Sequence, residues 1–318
     1  MTDLRKLVKV ANYYYRDGLT QQEIAVKMST SRQHVNRLLK RSVEEGIVKI
    51  EIVNYLSDNI TLEREVERKF GLRDVIVVSD ADSASVLDRL GQEGANFLHE
   101  LLQKKHTFGI GSGTAMRCLI KHIKHRQKNI SVVQFSGALT SFDAIEQPAA
   151  DTGANLNLAD EIVIQISQCI GATPYFMHVP AFVGSCETKK ALMDEQYVRN
   201  NYEMIKRCEF AVVGIESTGT EAAPLEEQFL SSECQEELHR LGAAGSICAR
   251  YFDNRGKALQ VSWDDKTMLP MLSQLRKIPL IIGIAAGKMY REAVLGALRG
   301  KWIDVLITDT ETAESLLR

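Results

Sequence analysis

The chain lacks the marks of a stapled, metal-built or membrane-spanning protein. Its six cysteines (Cys118, Cys169, Cys186, Cys208, Cys234 and Cys248) are scattered, with no Cys-x-x-Cys pair. That spacing excludes a zinc ribbon and a disulfide framework, and points to buried, reduced thiols in a cytoplasmic protein. No stretch reaches the roughly 18 apolar residues of a membrane span. Asp3, Arg5, Lys6 and Lys9 interrupt any leader-like apolar run, so no signal peptide is expected. His122 and His125 form His-x-x-His without an evident carboxylate or cysteine partner, and read as solvated positions on a basic helix. Neither a metal nor a cofactor is therefore expected. Internal repeats and low-complexity segments are also missing, which excludes a solenoid.

What is present is an ordinary core-forming composition with unevenly placed charge. The 318 residues are 45% hydrophobic and 25% charged, with a net charge of −2, enough for two or three domains. Residues 1–54 hold ten Lys/Arg against six Asp/Glu, so a basic head precedes an acidic body. Only the head is expected to meet nucleic acid.

Residues 19–41, LTQQEIAVKMSTSRQHVNRLLKR, read as two short helices joined by a tight turn at Ser29-Thr30-Ser31. The first turns Ile24, Ala25 and Met28 inward, and the second Val35, Leu38 and Leu39, at i, i+3, i+4 spacing. Ser31 is a natural N-cap for the second helix. Between Lys27 and Arg41 there are five Lys/Arg and no acidic residue, the footprint of a helix offered to a polyanion. A helix-turn-helix places its second helix in the major groove. Gln33 and Asn36 then suit adenine edges, and Arg32 or Arg37 guanine edges. Thr20, Gln21, Ser31, His34, Lys40 and Arg41 complete the candidate double-stranded DNA contacts, Lys40 and Arg41 as phosphate ligands. An amphipathic helix over residues 4–17, with Leu7, Val10, Ala11 and Tyr14 inward, precedes this unit. A helix stop and an alternating strand over 44–52 follow it, as in the wing of a winged domain. Polar residues 54–59 read as a hinge, giving a DNA-binding domain over 1–54, a hinge over 55–60 and an effector domain over 61–318.

Beyond the hinge the chain alternates strand and helix. Apolar runs at 75–79, 107–111, 130–135, 175–180, 209–215, 280–285 and 303–307 read as strands covered on both faces. Helical patterns occupy 61–70, 84–104, 114–125, 155–170, 187–207, 231–241, 289–299 and 311–317. The expected fold is α/β: a winged helix-turn-helix domain plus a doubly wound, mostly parallel sheet. Ligands bind such sheets beyond the carboxyl ends of the strands. The clearest turn of that kind is Gly109-Ile-Gly-Ser-Gly-Thr-Ala-Met116, where Gly111, Ser112, Gly113 and Thr114 open a helix. It matches neither a Walker loop nor the dinucleotide fingerprint. Ser136 and Gly137, Glu216, and Lys288 lie in turns at matching places. Asp253, before Asn-Arg-Gly, reads either as a ligand for sugar hydroxyls or as a turn-former.

Together these residues resemble the SorC (SorC/DeoR) family of sugar-responsive transcription regulators over nearly the whole chain. The resemblance is carried by Tyr14-Tyr15, Gly18-Leu-Thr-Gln-Gln-Glu-Ile-Ala25, Arg37-Leu-Leu-Lys40 and Glu45-Gly-Ile-Val48. Further on it is carried by Gly109-Ile-Gly-Ser-Gly-Thr114, Cys248-Ala-Arg-Tyr-Phe-Asp253, Gly296-Ala-Leu-Arg-Gly300 and Val305-Leu-Ile-Thr-Asp309 with Thr312-Ala313. It implies an effector domain related to the phosphosugar isomerase and CoA-transferase group, and a homo-oligomer, dimer or tetramer. It also implies operator binding controlled by a sugar, polyol or sugar phosphate at Gly111 to Thr114 and Asp253. Three positions depart from the family pattern. Ser136 stands where some relatives have lysine, Tyr290 replaces the lysine of Ala-Gly-Gly-x-x-Lys, and Ser246 replaces the aspartate of Gly-Asp-Ile-Cys. The rival reading is a sugar-phosphate isomerase fused to a DNA-binding head, with Asp253, Glu216 or Asp309 as base. No paired acid and base stand out in the sequence, so a regulator rather than an enzyme is expected.

Overall fold

In a computed structural model, residues 3–49, 59–79, 85–111, 113–124, 126–137, 159–218 and 230–318 are described. The chain divides into two compact units, Met1–Asp58 and Asn59–Arg318.

The first unit is a three-helix cluster: α1 (Asp3–Tyr15), α2 (Gln21–Lys27) and α3 (Arg32–Glu44). Its core is Leu7, Val10, Ile24, Ala25, Val35, Leu38 and Leu39. Tyr14 is 38% exposed, against expectation; Tyr13 packs on the core instead, under the Lys27 ammonium at 4.5 Å from its ring. No strand forms over residues 47–49, and the rest of the expected wing lies outside the described residues, as does most of the hinge. The end of the hinge is structured: Asn59 is buried, donates to the Val77 carbonyl at 3.1 Å, and leads into α4 (Ile60–Phe70).

The second unit is built on a seven-stranded parallel sheet. In chain order its strands are β1 (Asp74–Val78), β2 (Thr107–Ile110), β3 (Ser131–Gln134), β4 (Thr173–Tyr175), β5 (Phe210–Gly214), β9 (Ile281–Ile284) and β10 (Val305–Asp309). They lie in the order β1-β10-β9-β5-β2-β3-β4, every pair parallel. Alternate residues feed opposite faces, as the pleat requires. Phe210 and Val212 join Phe108, Ile110 and Val132 under α5 (Val86–Leu102), α6 (Thr114–Lys121) and α7 (Ala159–Ile170). Ala211 and Val213 join Val133 and Phe135 on the other face. There α4, α9 (Gln196–Lys206), α12 (Arg291–Arg299) and α13 (Thr310–Leu317) close the core. Helices on both faces make the doubly wound architecture.

Three departures from the sequence reading have physical reasons. The single helix expected over 187–207 is two, α8 (Cys186–Asp194) and α9, broken at an extended Glu195 with ψ 131°. On one straight helix Met193 and Val198 would be about 140° apart; the break lets both reach the core. The strand expected over 175–180 sits earlier, at the sheet edge, where Pro174 costs no inner ladder bond. A second, antiparallel sheet was not anticipated: β6 (Glu216–Ser217), β7 (Ala243–Ile247) and β8 (Arg250–Asp253). β6 precedes α10 (Ser232–Leu241), while β7 and β8 lie between α10 and the one-turn α11 (Leu272–Leu275).

Two smaller readings also change. His122 is half-buried and faces Asp88 at 3.0 Å rather than solvent, while His125 lies outside the described residues. Of the cysteines, all free thiols, Cys208 and Cys248 are buried and the others partly so; burial pushes the Cys208 thiol up to about 12. Among the described residues no helix is long and apolar enough to cross a membrane, and no group of three or more metal-binding side chains forms.

Helices α5 and α6 meet backbone to backbone at Gly91, where an added Cβ would fall 2.4 Å from the Cys118 carbonyl carbon. Gly91→Ala should therefore destabilise the second unit by about 1–3 kcal/mol through overpacking, read as a lowered midpoint in urea unfolding.

Candidate functional site

On the first unit, local hydrogen bonding sets the two helices of the expected DNA reader. Thr20 caps α2 through a reciprocal box: the Glu23 amide donates to Thr20 Oγ1 at 3.3 Å, and the Thr20 amide to Glu23 Oε2 at 2.8 Å. The Thr20 hydroxyl also donates to Glu23, at 2.8 Å. Those bonds hold the Glu23 carboxyl below its usual range. Ser29 takes a left-handed φ of 48° in the turn, and Ser31 caps α3 by accepting from the His34 amide at 3.1 Å. With Val35, Leu38 and Leu39 buried, α3 presents Arg32, Gln33, Asn36, Arg37 and Lys40 to solvent, with His34 half-buried. Gln21 is half-buried beside Thr20, and both line a concavity of ≈ 460 Å³ with Arg32 and Tyr14. Arg41 is the exception among the cations: it is ion-paired to Glu45 at 2.6 Å and to Asp3 at 3.1 Å, and both raise its pKa.

On the second unit, the winding of the sheet reverses between β2 and β5. From β2 the chain steps outward to β3 and β4; from β5 it steps the other way to β9 and β10. At such a switch point the loops after neighbouring strands diverge and leave a crevice. The expected effector residues sort themselves along this rim. Ser136 and Gly137 follow β3, Gly111 to Thr114 follow β2, Glu216 follows β5, and Lys288 follows β9. Ser112 lies outside the described residues.

The rim is tight. Gly109 lies under the Phe135 ring, Gly111 within 3.3 Å of Cys248 Sγ, measured from where a Cβ would sit, and Gly113 within 2.5 Å of Glu216 Oε1. Gly113 has φ 116°, a conformation side chains avoid, and forms the N-cap of α6. Thr114 is exposed at the first turn of that helix and Lys288 is exposed in a one-turn 3-10 helix, Lys288–Tyr290. Glu216 also lies near Tyr290, whose phenol is pushed up, mainly by burial and then by the Glu216 charge. Gly137 abuts the Val179 carbonyl. Ser136 is buried, and its hydroxyl has no hydrogen-bond partner among the described residues.

Asp253 is not brought to this rim. Its Oδ1 accepts from the Arg255 and Lys257 amides at 3.0 and 2.8 Å, so the carboxylate organises the turn after β8. Glu216 pairs with Ser246, and Ser246 with Tyr251, two residues short of Asp253. That register puts Asp253 about 7 Å along the strand and two strands, about 10 Å, across. Asp309 is likewise engaged: it caps α13 by accepting from the Thr312 amide at 3.0 Å.

Ser246 and Cys248 were overlooked as rim residues because nothing local marks them. Ser246 is a cross-strand neighbour of Glu216 and shares its face of the small sheet. Cys248 and Ala249 form the hairpin turn with φ of 51° and 52°. The hairpin is held by Arg250, which is buried and bonds the Pro270 and Leu269 carbonyls and pairs with Asp264 at 2.5 Å. A larger concavity, ≈ 600 Å³, opens on the other face of the small sheet beside Ser217, Ala243, Asn254, Met289 and Glu292. It holds none of the expected effector residues, so we centre the site on the rim.

Comparison with known proteins adds a third line. Residues 55–318 match the family model described as "Putative sugar-binding domain". The chain is 29% identical over 318 residues to the sorbitol operon regulator of Klebsiella pneumoniae, covering 99% of this chain and 98% of that one. It is 27% identical over 314 residues to the deoxyribonucleoside regulator of Bacillus subtilis strain 168, covering 98% and 96%. The crystal structure of the full-length K. pneumoniae regulator SorC superposes with a TM-score of 0.73 over 100% of both chains.

Removing one partner of the buried Arg250–Asp264 pair should be costly. Arg250→Ala is expected to lose about 3–5 kcal/mol, while an Arg250→Met, Asp264→Leu double variant should recover most of it; paired urea titrations measure both.

Proposed function

The chain belongs to the SorC family of transcriptional regulators and carries that family's sugar-binding domain, and we propose that it binds operator DNA through α3 under the control of a carbohydrate held at the sheet rim. It is a regulator rather than an enzyme, as its relatives are. The observation that carries the division of labour is α3 itself. Its outward face offers Arg32, Gln33, Asn36, Arg37 and Lys40 with no acidic side chain between them, on a helix pinned by the Ser31 cap and a closed apolar core. Gln33, Asn36, Arg32 and Arg37 read bases; Thr20, Gln21, Ser31, His34 and Lys40 meet the backbone. Arg41 joins them only by releasing Asp3 and Glu45, which exposed pairs allow at under about 1 kcal/mol each.

The effector is a sugar, polyol or sugar phosphate held by Gly111, Gly113, Thr114, Ser136, Gly137, Glu216 and Lys288. Asp253 supports the site only through its turn. Operator DNA is read by two α3 helices on one DNA face, so the working form is a homo-oligomer, dimer or tetramer, in the cytoplasm. The ligand acts by binding the DNA-competent and incompetent states with different affinity, and which state it prefers decides between activation and repression.

Arg37→Ala and Gln33→Ala should each cost about 1–3 kcal/mol in operator binding, and Lys40→Ala should lower the salt slope by about 1. Gel-shift titrations at several salt concentrations measure this, with effector affinity by calorimetry as the control. A matching fall in effector affinity would sink the proposed division of labour.

A further inference from the structure

We infer that the effector is an uncharged polyhydroxy compound, a free sugar or polyol, because the side chain facing the glycine turn at the start of α6 is the carboxylate of Glu216. The inference rests on the effector reading above and narrows it.

The eight-residue helix α6 starts at Thr114, directly after Gly113. The N-terminus of a helix carries partial positive charge and would ordinarily welcome a phosphate. Here an acidic oxygen already lies there: Glu216 Oε1 is 2.5 Å from where a Cβ of Gly113 would stand. A phosphate in that place would meet a like charge. Two cations of the flanking segments are engaged in other bonds, and Lys288 is exposed. Arg291 bonds Glu292 at 2.5 Å and the Ser315 carbonyl at 3.1 Å, and Arg250 is committed to Asp264 and two carbonyls. Tyr290 occupies the half-buried end of the 3-10 helix, while Lys288 points to solvent.

The other polar groups are of a kind that suits neutral hydroxyls. Ser246 is 1% exposed and Ser136 4% exposed, and neither hydroxyl has a hydrogen-bond partner among the described residues. Ser246 lies directly across from Glu216 on the same face, and Ser136 lies two residues beyond β3, the strand paired with the one that leads into the glycine turn. A hydroxyl both donates and accepts, and a carboxylate accepts only. Two serines and one carboxylate therefore match a vicinal diol, with the carboxylate receiving hydroxyl protons and the serines completing the pattern. A dianionic phosphate offers no donor to Glu216 above its second pKa.

The test uses the full chain and two matched panels, free sugars and polyols against their phosphate monoesters, with inorganic phosphate as a third arm. Binding is read by thermal unfolding and then calorimetry on the wild type and on Glu216→Gln. The expected result is stabilisation of the wild type by an uncharged compound, with its phosphate ester at least tenfold weaker and inorganic phosphate silent. Glu216→Gln should weaken the uncharged compound at least tenfold and be stabilised by inorganic phosphate. A wild type that prefers the ester, or a Glu216→Gln variant that binds the free compound unchanged, overturns the inference. If neither panel binds, the carbohydrate reading itself falls. The inorganic phosphate arm still judges the carboxylate: a gain in Glu216→Gln supports its place at the helix, and no gain refutes it.

Discussion

Seven parallel strands put all seven carboxyl ends on one rim, and the second unit is arranged around that constraint. Parallel strands cannot be joined by tight turns, so each return passes through a helix or a long connection. Those helices cover both faces and bury near-continuous apolar strands such as Phe-Ala-Val-Val-Gly of β5. The reversal between β2 and β5 then fixes where the rim opens. The backbones there come so close that only glycine fits under the Phe135 ring and beside Glu216. Close packing at the rim thus draws on one feature, the missing side chains of residues 109, 111 and 113.

The parts legible in the sequence were those whose signal is local. Apolar runs located all seven parallel strands, six of them within about two residues, because strands covered on both faces have to be apolar throughout. Ser31 was readable as a cap because its hydroxyl has one nearby amide to serve. The β7–β8 hairpin was not readable. Ala-Ala-Gly-Ser-Ile shows no alternation, its register shifts between Ala243 and Gly245, and its turn is made by Cys248 and Ala249, residues that turn chemistry does not select. That loss mattered for the site. Without the hairpin, Asp253 looked like a rim residue and Ser246 like a mere departure from a pattern. The register sets Ser246 across from Glu216 and Asp253 two strands from it.

Charge in the head was legible only as a count. Five cations from Lys27 to Arg41 suggest a uniformly basic surface. The structure divides them. Lys27 sits over the Tyr13 ring and Arg41 between Asp3 and Glu45, while Arg32, Arg37 and Lys40 remain exposed. Lys27 ties the end of α2 to α1, and Arg41 ties α3 to α1 through Asp3. Exposed pairs of this type are weak and salt-screened, so the bracing is soft. A phosphate competing for Arg41 would loosen α1 from α3 by a small amount of free energy.

The rim has the opposite character. A buried hydroxyl without a partner costs on the order of 1–3 kcal/mol, and Ser136 and Ser246 both stand in that position among the described residues. A protein selected for stability alone would place alanine at such points. Retaining serine there makes the ligand-free rim less stable than it needs to be, and a ligand that supplies the missing partners recovers the difference only in the conformation where those partners converge. That is the requirement for a ligand to shift an equilibrium: unequal affinity for two states. Catalysis would instead require a proton donor and acceptor poised on the same ligand. Asp253 and Asp309 serve a turn and a helix cap, and of the three Glu216 is the one placed at the rim, beside Gly113. A carboxylate beside hydroxyls that have no partner among the described residues is suited to holding a polyol.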